Sequence, residues 1–122
     1  MEPLGATTWV IPEGYLPGSS SGPQPQMLSH ETVCLLNTGD EDAHVEITVF
    51  LADAEPLGPW SVTVPARRTL HQRFNDLTGP LVPRDTDYAS VIRSDRPVVA
   101  QHTRLDSRQA ENALLTTIAY AA

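Results

Sequence analysis

Apolar and polar residues alternate along several short stretches of this chain. The clearest stretch runs from His44 to Leu51, where the apolar residues occupy every second position. Because successive side chains of a strand point to opposite faces of a sheet, this pattern predicts a β-strand with one buried face. Related patterns predict further strands at 7–11, 31–36, 60–64, 68–74, 89–92, 98–104 and 114–120. A set of about eight short strands is typical of an antiparallel sandwich or barrel.

Turn-forming residues separate most of these stretches. Glycine, proline, asparagine and aspartate predict loops at 17–26, 37–42 and 75–87. Asp106 and Gln109 have the spacing of a helix capping box, whereas the β-branched run at 116–118 favours a strand. We therefore expect a turn, or one helical turn, at 106–111 before the last strand. With no internal repeat or linker, residues 1–122 are predicted to form a single domain.

Three pairs of adjacent apolar residues interrupt the alternation: Leu35 with Leu36, Phe50 with Leu51, and Leu114 with Leu115. On a strand, one member of each pair faces the core and the other faces away. We interpret the outward members as contacts with another subunit, so the pattern predicts an oligomer.

Composition narrows the class of protein. Hydrophobic residues make up 40% of the chain, and no apolar run approaches the length of a membrane span. The first residues carry no basic and apolar leader, so we expect no secretory signal. Cys34 is the single cysteine, which fits a reducing compartment, and we expect it to be a small buried side chain. These features predict a cytoplasmic protein.

Charge bears on the choice of partner. The net charge is −7, and all eight basic residues are arginines. Such a domain repels nucleic acid at long range, so DNA contact is disfavoured. The one basic cluster is Arg67, Arg68 and Arg73. We interpret it as an anionic-group site or as intersubunit pairing with acidic side chains, in preference to a DNA contact.

The richest polar segment runs from Gln101 to Gln109. Together with the segment around His30 and the stretch 9–15, it predicts a polar site for a sugar-like or anionic ligand. A surface ion-pair network that fixes a loop or a subunit contact is an equal alternative. The candidate ligand-binding residues are Trp9, Glu13, His30, Glu31, His102, Arg104, Asp106 and Arg108.

Catalytic and metal motifs are weak. The run 18–22 matches G-x-S-x-G, but prolines flank it where a nucleophile elbow needs a strand and a helix. The four histidines lack zinc-site spacing, and the acidic runs 40–42 and 85–87 lack the pattern of a calcium loop. We expect exposed turn residues in those runs and an exposed His44. We therefore predict that the protein is not an enzyme and has no catalytic residue, metal or cofactor.

Several longer stretches resemble one known family, the sensory rhodopsin transducers. They are WVIPEGY (9–15), PQPQMLSHETVCLLNTGDEDAHVEITVF (23–50), EPLGPWSVTVPARRT (55–69), RFNDL (73–77), DTDYASVI (85–92) and PVVAQHTRLDSRQAENALLTTIAYA (97–121). The resemblance covers nearly the whole chain, and its departures fall in the segments 18–21, 69–71 and 81–83.

The resemblance implies a β-sandwich subunit in a homotetramer. It also implies a soluble cytoplasmic signalling adaptor that binds the cytoplasmic face of a membrane rhodopsin and relays its signal. DNA interaction has been proposed for the family's type member. For members in bacteria without such a rhodopsin, the family suggests binding of a small polar molecule. The family has no cofactor and no enzymatic activity.

Overall fold

Eight β-strands, all paired antiparallel, make up the regular structure of this computed structural model, which describes residues 2–122. The predicted domain began at Met1, which lies outside the described residues. The strands are β1 (Ala6–Tyr15), β2 (His30–Asn37), β3 (Ala43–Leu51), β4 (Leu57–Val64), β5 (Arg68–Arg73), β6 (Asp87–Asp106), β7 (Ala113–Ile118) and β8 (Tyr120–Ala121). A 3-10 turn, Phe74–Asp76, follows β5. Within residues 2–122, no helix has the length and apolarity that a membrane span requires.

The 20-residue strand β6 organises the fold. Its first half pairs with β1 and β3, and its second half pairs with β2 and β7. We call the set β4-β3-β6-β1-β8 the first sheet, and the set β5-β2-β6-β7 the second sheet. The predicted all-β class, with eight antiparallel strands in a single domain, is confirmed.

The sequence-based division of β6 was wrong. Alternation predicted two strands, at 89–92 and 98–104, with Ser94, Asp95, Arg96 and Pro97 between them. Instead, β6 continues through this segment as it passes from one sheet to the other. Pairing with β3 ends at Ser94, and pairing with β2 starts at Val99. Pro97 lies in the gap between these ladders, where its missing N–H removes no bond to β2 or β3.

Strand β1 extends further than predicted, to Tyr15 rather than Ile11. Its pairing with β6 shifts by one residue between Ile11 and Gly14, so Pro12 and Glu13 lie in a β-bulge. A bulge redirects the side chains that it contains. Proline and glycine in this segment disfavour a regular strand by local propensity, which is why the sequence did not predict it.

Both sheets contribute to one hydrophobic core. Val33 and Leu35 of β2 belong to the same cluster as Val45, Ile47 and Val49 of β3. The buried alternation predicted for β3 is confirmed. In two of the three apolar pairs the inward and outward members separate, with Leu35 and Leu51 at the core and Leu36 and Phe50 exposed. The third pair does not separate, because Leu114 and Leu115 are both exposed.

Several local predictions can be compared with the structure. Residues 107–112 form a turn before β7, as expected, and His44 is exposed at the start of β3. Cys34 is half-buried rather than buried. It lies on the outward face of the second sheet, since β2 buries its neighbours Val33 and Leu35 instead.

Candidate functional site

Glu31 is a carboxylate enclosed in the core region of the second sheet. Its side chain is fully buried, which is unusual for a glutamate, and the residue lies on β2 between His30 and Thr32. Alternation along β2 places it on the inward face with Val33 and Leu35. An ionised carboxylate at such depth needs charged or hydrogen-bonding partners.

Three groups supply these partners. His102 Nε2 lies 2.5 Å from Glu31 Oε1, and Arg104 Nε donates to Glu31 Oε2 at 2.6 Å. The backbone N–H of Tyr15 donates to the same Oε2 at 3.0 Å. Because an ionised carboxylate only accepts, His102 Nε2 carries the hydrogen in this contact.

Arg104 joins this buried carboxylate to an exposed one. Its two terminal nitrogens donate to the two oxygens of Glu13, with Nη1 at 3.0 Å from Oε1. The hydrogen bond from Arg104 lowers the pKa of Glu13, and the Glu13 carboxylate raises the pKa of Arg104 above its usual range. The bulge in β1 places Glu13 within reach of Arg104 on β6. We call Glu13, Glu31, His102 and Arg104 the charge network.

The charge network lies beside an open groove of about 400 Å³ between β1, β7 and β8. Glu13, His102 and Arg104 supply its ionisable side chains, and the remaining surface is mostly apolar. The other lining residues are Val10, Ile11, Pro12, Leu115, Thr117, Ile118, Ala119 and Tyr120. Glu13 is the one carboxylate that lines the groove, and its charge is paired with Arg104, while the buried Glu31 lies behind His102 and Arg104.

A smaller polar hollow continues from the other side of Glu13 and Arg104. It is lined by these two residues with Tyr15, Pro17, Asp87, Asp106 and Arg108. The Arg108 guanidinium donates to both oxygens of Asp106, through Nε to Oδ1 and Nη2 to Oδ2, and lies 5.5 Å from the centre of the Tyr15 ring. These hydrogen bonds lower the pKa of Asp106.

Six of the eight predicted ligand-binding residues therefore lie together, and two do not. Trp9 is part of the core, where its indole N–H donates to the carbonyl oxygens of Ala6 and Val98. His30 lines a different cavity, on the outward face of the second sheet. His30 and Glu31 are adjacent on β2, and adjacent side chains of a strand point to opposite faces of the sheet.

The predicted arginine cluster is divided. Arg67 and Arg68 lie at the start of β5, and Arg67 has a positive φ of 55° and lies 3.9 Å from Asp40. Arg73 ends the same strand, about 17 Å away at the usual rise per residue. It donates to the Pro25 carbonyl oxygen at 3.2 Å and lines the same outward cavity as His30.

Sequence reasoning missed the contribution of β7 and β8 to the groove. Thr117 and Tyr120 were assigned only to a strand, and Leu115 was assigned to a strand and to a pair that contacts another subunit. Tyr120 could have been noticed, because it is an aromatic residue among small ones at 119–122. In residues 2–122, no group of three histidine, cysteine or acidic residues is arranged to hold a metal ion.

A family model and a solved structure give the same description of what this chain is similar to. A family model described as Anabaena sensory rhodopsin transducer matches residues 4–121. A solved structure of the Anabaena sensory rhodopsin transducer is 60% identical, with a TM-score of 0.77, and the match covers 86% of this chain and 100% of that one. A crystal structure described as Thermotoga maritima 1070 is 36% identical, with a TM-score of 0.87 and coverage of 97% and 96%. No curated protein matches the chain.

Proposed function

Because the chain belongs to the Anabaena sensory rhodopsin transducer family, we propose that it is a soluble cytoplasmic signalling adaptor for a membrane photoreceptor. The adaptor binds the cytoplasmic face of a rhodopsin and relays its signal. The observation that carries this proposal is the 60% identity over the full length of the solved Anabaena transducer. No enzymatic step is part of the proposal.

Charge complementarity supports the proposed docking. The cytoplasmic loops of membrane proteins carry an excess of lysine and arginine. This chain has 15 acidic residues against 8 basic ones. Opposite charges on the two surfaces favour encounter, and salt screens that attraction.

The experiment uses the full chain and a sensory rhodopsin from the same organism, reconstituted in nanodiscs. Calorimetric titration at low and high salt should give saturable binding that weakens as salt rises. The photocycle of the rhodopsin, followed by flash photolysis, should change when the chain is added. Empty nanodiscs are the control. A genome without any retinal-protein gene, or a rhodopsin that does not bind the chain at low salt, would refute the role.

For the assembly, we propose that the two sheets pack face to face as a β-sandwich and that four copies form a homotetramer. The exposed apolar side chains on β7 and at the end of the chain support the assembly of several copies, because monomers rarely leave contiguous apolar patches uncovered. The hydrophobic core that both sheets share supports the sandwich. Leu114, Leu115, Ile118 and Tyr120 are between 46% and 70% exposed in the single chain.

As an alternative to covering of β7 and β8 by other copies of the chain, the groove supports a second candidate function, the binding of a small, hydroxyl-rich molecule such as a sugar. The observation that favours it is the charge network beside a partly apolar groove, an arrangement common in small-molecule sites. Glu13, His102 and Arg104 would meet the ligand, and Glu31 would hold His102 and Arg104 in position. Asp106 and Arg108, in the adjoining hollow, would extend the site.

A thermal-shift screen over neutral sugars and sugar acids tests this function. A ligand at about 100 times its dissociation constant adds about 2.7 kcal/mol to the unfolding free energy. The shift should be absent in Glu13→Gln and retained in Glu55→Gln, an exposed residue outside the groove. A flat response to the whole panel, in the presence of folded protein, would contradict it.

A further inference from the structure

The outward face of the second sheet contains a separate cavity of about 520 Å³. Strands β2, β5 and β6 supply its lining: His30, Thr32, Cys34, His71, Arg73, Gln101 and Thr103. The register places these residues in two rows across the sheet. Cys34 lies between His71 and Gln101, and Thr32 lies between Arg73 and Thr103. The cavity is on the opposite face of β2 from Glu31 and the groove.

This cavity differs in charge from the rest of the chain. No acidic residue lines it, although acidic residues outnumber basic ones by 15 to 8. Arg73, His30 and His71 take part in none of the ion pairs found among residues 2–122. Of the other arginines, Arg67, Arg96, Arg104 and Arg108 each lie within salt-bridge distance of a carboxylate, whereas Arg68, Arg84 and Arg93 take part in none of these pairs.

Arg73 keeps hydrogen-bond donors for a ligand, whereas His30 offers one only in its imidazolium form. Arg73 Nη1 donates to the Pro25 carbonyl oxygen, and a guanidinium group has five N–H donors in all. His30 Nδ1 lies 2.7 Å from the Leu28 carbonyl oxygen, so that nitrogen carries the hydrogen. His30 Nε2 then gains a hydrogen, and becomes a donor, when the ring is protonated.

The neutral groups of the cavity are also compatible with an anion. Thr32 is 7% exposed and contributes a hydroxyl from a buried position between Arg73 and Thr103. Burial raises the pKa of the Cys34 thiol, so it brings no negative charge into the cavity. Gln101 and Thr103 are held by hydrogen bonds to Thr116 of β7, at 2.7 Å and 3.1 Å.

We propose that this cavity binds the phosphate group of a small phosphorylated molecule. Arg73 is the main ligand, His71 and His30 add charge-assisted hydrogen bonds when protonated, and the Thr32 hydroxyl adds a neutral one. Donors from two adjacent strands, β2 and β5, surround a tetrahedral anion better than a single planar fork does. The site is independent of the groove and of the photoreceptor role.

The test follows amide shifts of the isotope-labelled full chain by NMR during titration with inorganic phosphate. Saturable shifts are expected in β2, β5 and the second half of β6. Arg73→Gln should weaken binding by about tenfold or more, the usual loss for a charge-assisted contact. Arg96→Gln is the matched control, because Arg96 pairs with Glu41 away from the cavity. Thr32→Val, which keeps the side-chain volume, should weaken binding to a smaller degree.

Sulfate, which stays a dianion, provides the second arm. The titratable and charged groups that line the cavity are His30 and Cys34 on β2 and His71 and Arg73 on β5. Sulfate should compete with inorganic phosphate and shift the same amides, and Arg73→Gln should weaken its binding as well. Linear, unsaturated shifts, or equal binding by Arg73→Gln and the wild type, would overturn the proposal.

Discussion

At the scale of single residues, Glu31 and Glu46 are both glutamates on alternating β-strands, yet their environments are opposite. Glu46 is exposed on β3, while Glu31 is fully buried on β2. The buried carboxylate is compensated by His102, Arg104 and the Tyr15 amide. These partners lie on β6 and at the end of β1, far from β2 in sequence, so no local pattern marks Glu31 as buried.

Replacing Glu31 tests how much this compensation contributes. Glu31→Gln leaves His102 and Arg104 without their shared carboxylate, and breaking a buried ion pair costs about 3 kcal/mol. Urea unfolding should show a loss of that size in the unfolding free energy. Glu46→Gln should change it by less than about 0.5 kcal/mol, as most surface substitutions do. Equal effects of the two substitutions would show that the network contributes no stability.

Tyr88 and Ser90, in contrast to Glu31, bury polar atoms that have no partner in the described part of the chain. Both residues are buried on β6, and neither hydroxyl has a hydrogen-bond partner among residues 2–122. Burial, and then the nearby charge of Glu31, raises the pKa of Tyr88 above its usual range. Tyr88→Phe and Ser90→Ala remove hydroxyls that cost free energy to bury, so neither should lower the unfolding free energy.

Ser29→Ala is the matched control for those substitutions. The Ser29 hydroxyl is buried and bonded to Ser107 at 3.0 Å, so its removal should cost about 1 kcal/mol. Chemical denaturation measures all three variants. A clear loss in Tyr88→Phe would mean that its hydroxyl is hydrogen-bonded in solution.

Acid should weaken the fold through carboxylates such as Glu13. Its pKa is lower in the folded chain than the ordinary value of 4.5, because Arg104 donates hydrogen bonds to it. A carboxylate of this kind contributes stability above its unfolded pKa, and that stability is lost as the pH falls through the folded pKa. The unfolding free energy should therefore decline below about pH 4.5, and less steeply in Glu13→Gln than in Glu55→Gln.

At the scale of elements, β6 is the strand that joins the two sheets. Ser94, Asp95, Arg96 and Pro97 have the composition of a turn, but contacts with the β2–β3 region hold them extended. Asp95 accepts hydrogen bonds from the backbone and ring of His44, and Arg96 pairs with Glu41. Turn chemistry is a local preference, and these long-range contacts override it.

The segment before β1 packs closely against β6 near the point where β6 passes from one sheet to the other. A Cβ on Gly5 would lie 2.0 Å from the Val98 carbonyl oxygen, and Gly5 has a φ of +105°. Gly79 has a φ of +66° but open space around its missing Cβ. Gly79→Ala should therefore lower the unfolding free energy by about 1 kcal/mol, the cost of a left-handed conformation.

Gly5→Ala adds the clash with β6 to that conformational cost, so it should destabilise the protein more than Gly79→Ala. Thermal unfolding of the two variants side by side separates the cost of the clash from the cost of the left-handed conformation. Equal losses would indicate that the segment before β1 moves away from Val98 at little cost.

At the scale of the whole molecule, the exposed apolar residues of β7 bear on assembly. Leu114 and Ile118 lie on one face of β7 and are 70% and 60% exposed. If other copies cover them, Leu114→Ser combined with Ile118→Ser should reduce the mass measured by light scattering from that of a tetramer toward the 13.3 kDa of one chain. The single chain should stay folded, because neither side chain is part of its core.

Leu81→Ser is the control for that experiment. Leu81 is equally exposed, at 60%, but lies in the loop before β6. It should leave the mass unchanged. A wild-type protein that already scatters as one chain would contradict the assembly.

The sequence by itself determined the class of fold and most strand positions, because period-two alternation depends only on which residues avoid water. It also determined the family, since the matching stretches extend along nearly the whole chain. Four of its candidate ligand-binding residues, Glu13, Glu31, His102 and Arg104, contact one another in the structure, and their role in binding stays a prediction.

Only the tertiary structure decided which face each polar residue takes and which strands meet. His30 and Glu31 lie on opposite faces of β2, and Trp9 lies in the core. Arg73 lies at the end of β5, and Arg67 lies just before the start of that strand. The tertiary structure also joined two predicted strands into β6 and brought β7 and β8 to the groove. The physical reason is that register and pairing depend on contacts between residues distant in sequence, and a shift of one residue exchanges the two faces of a strand.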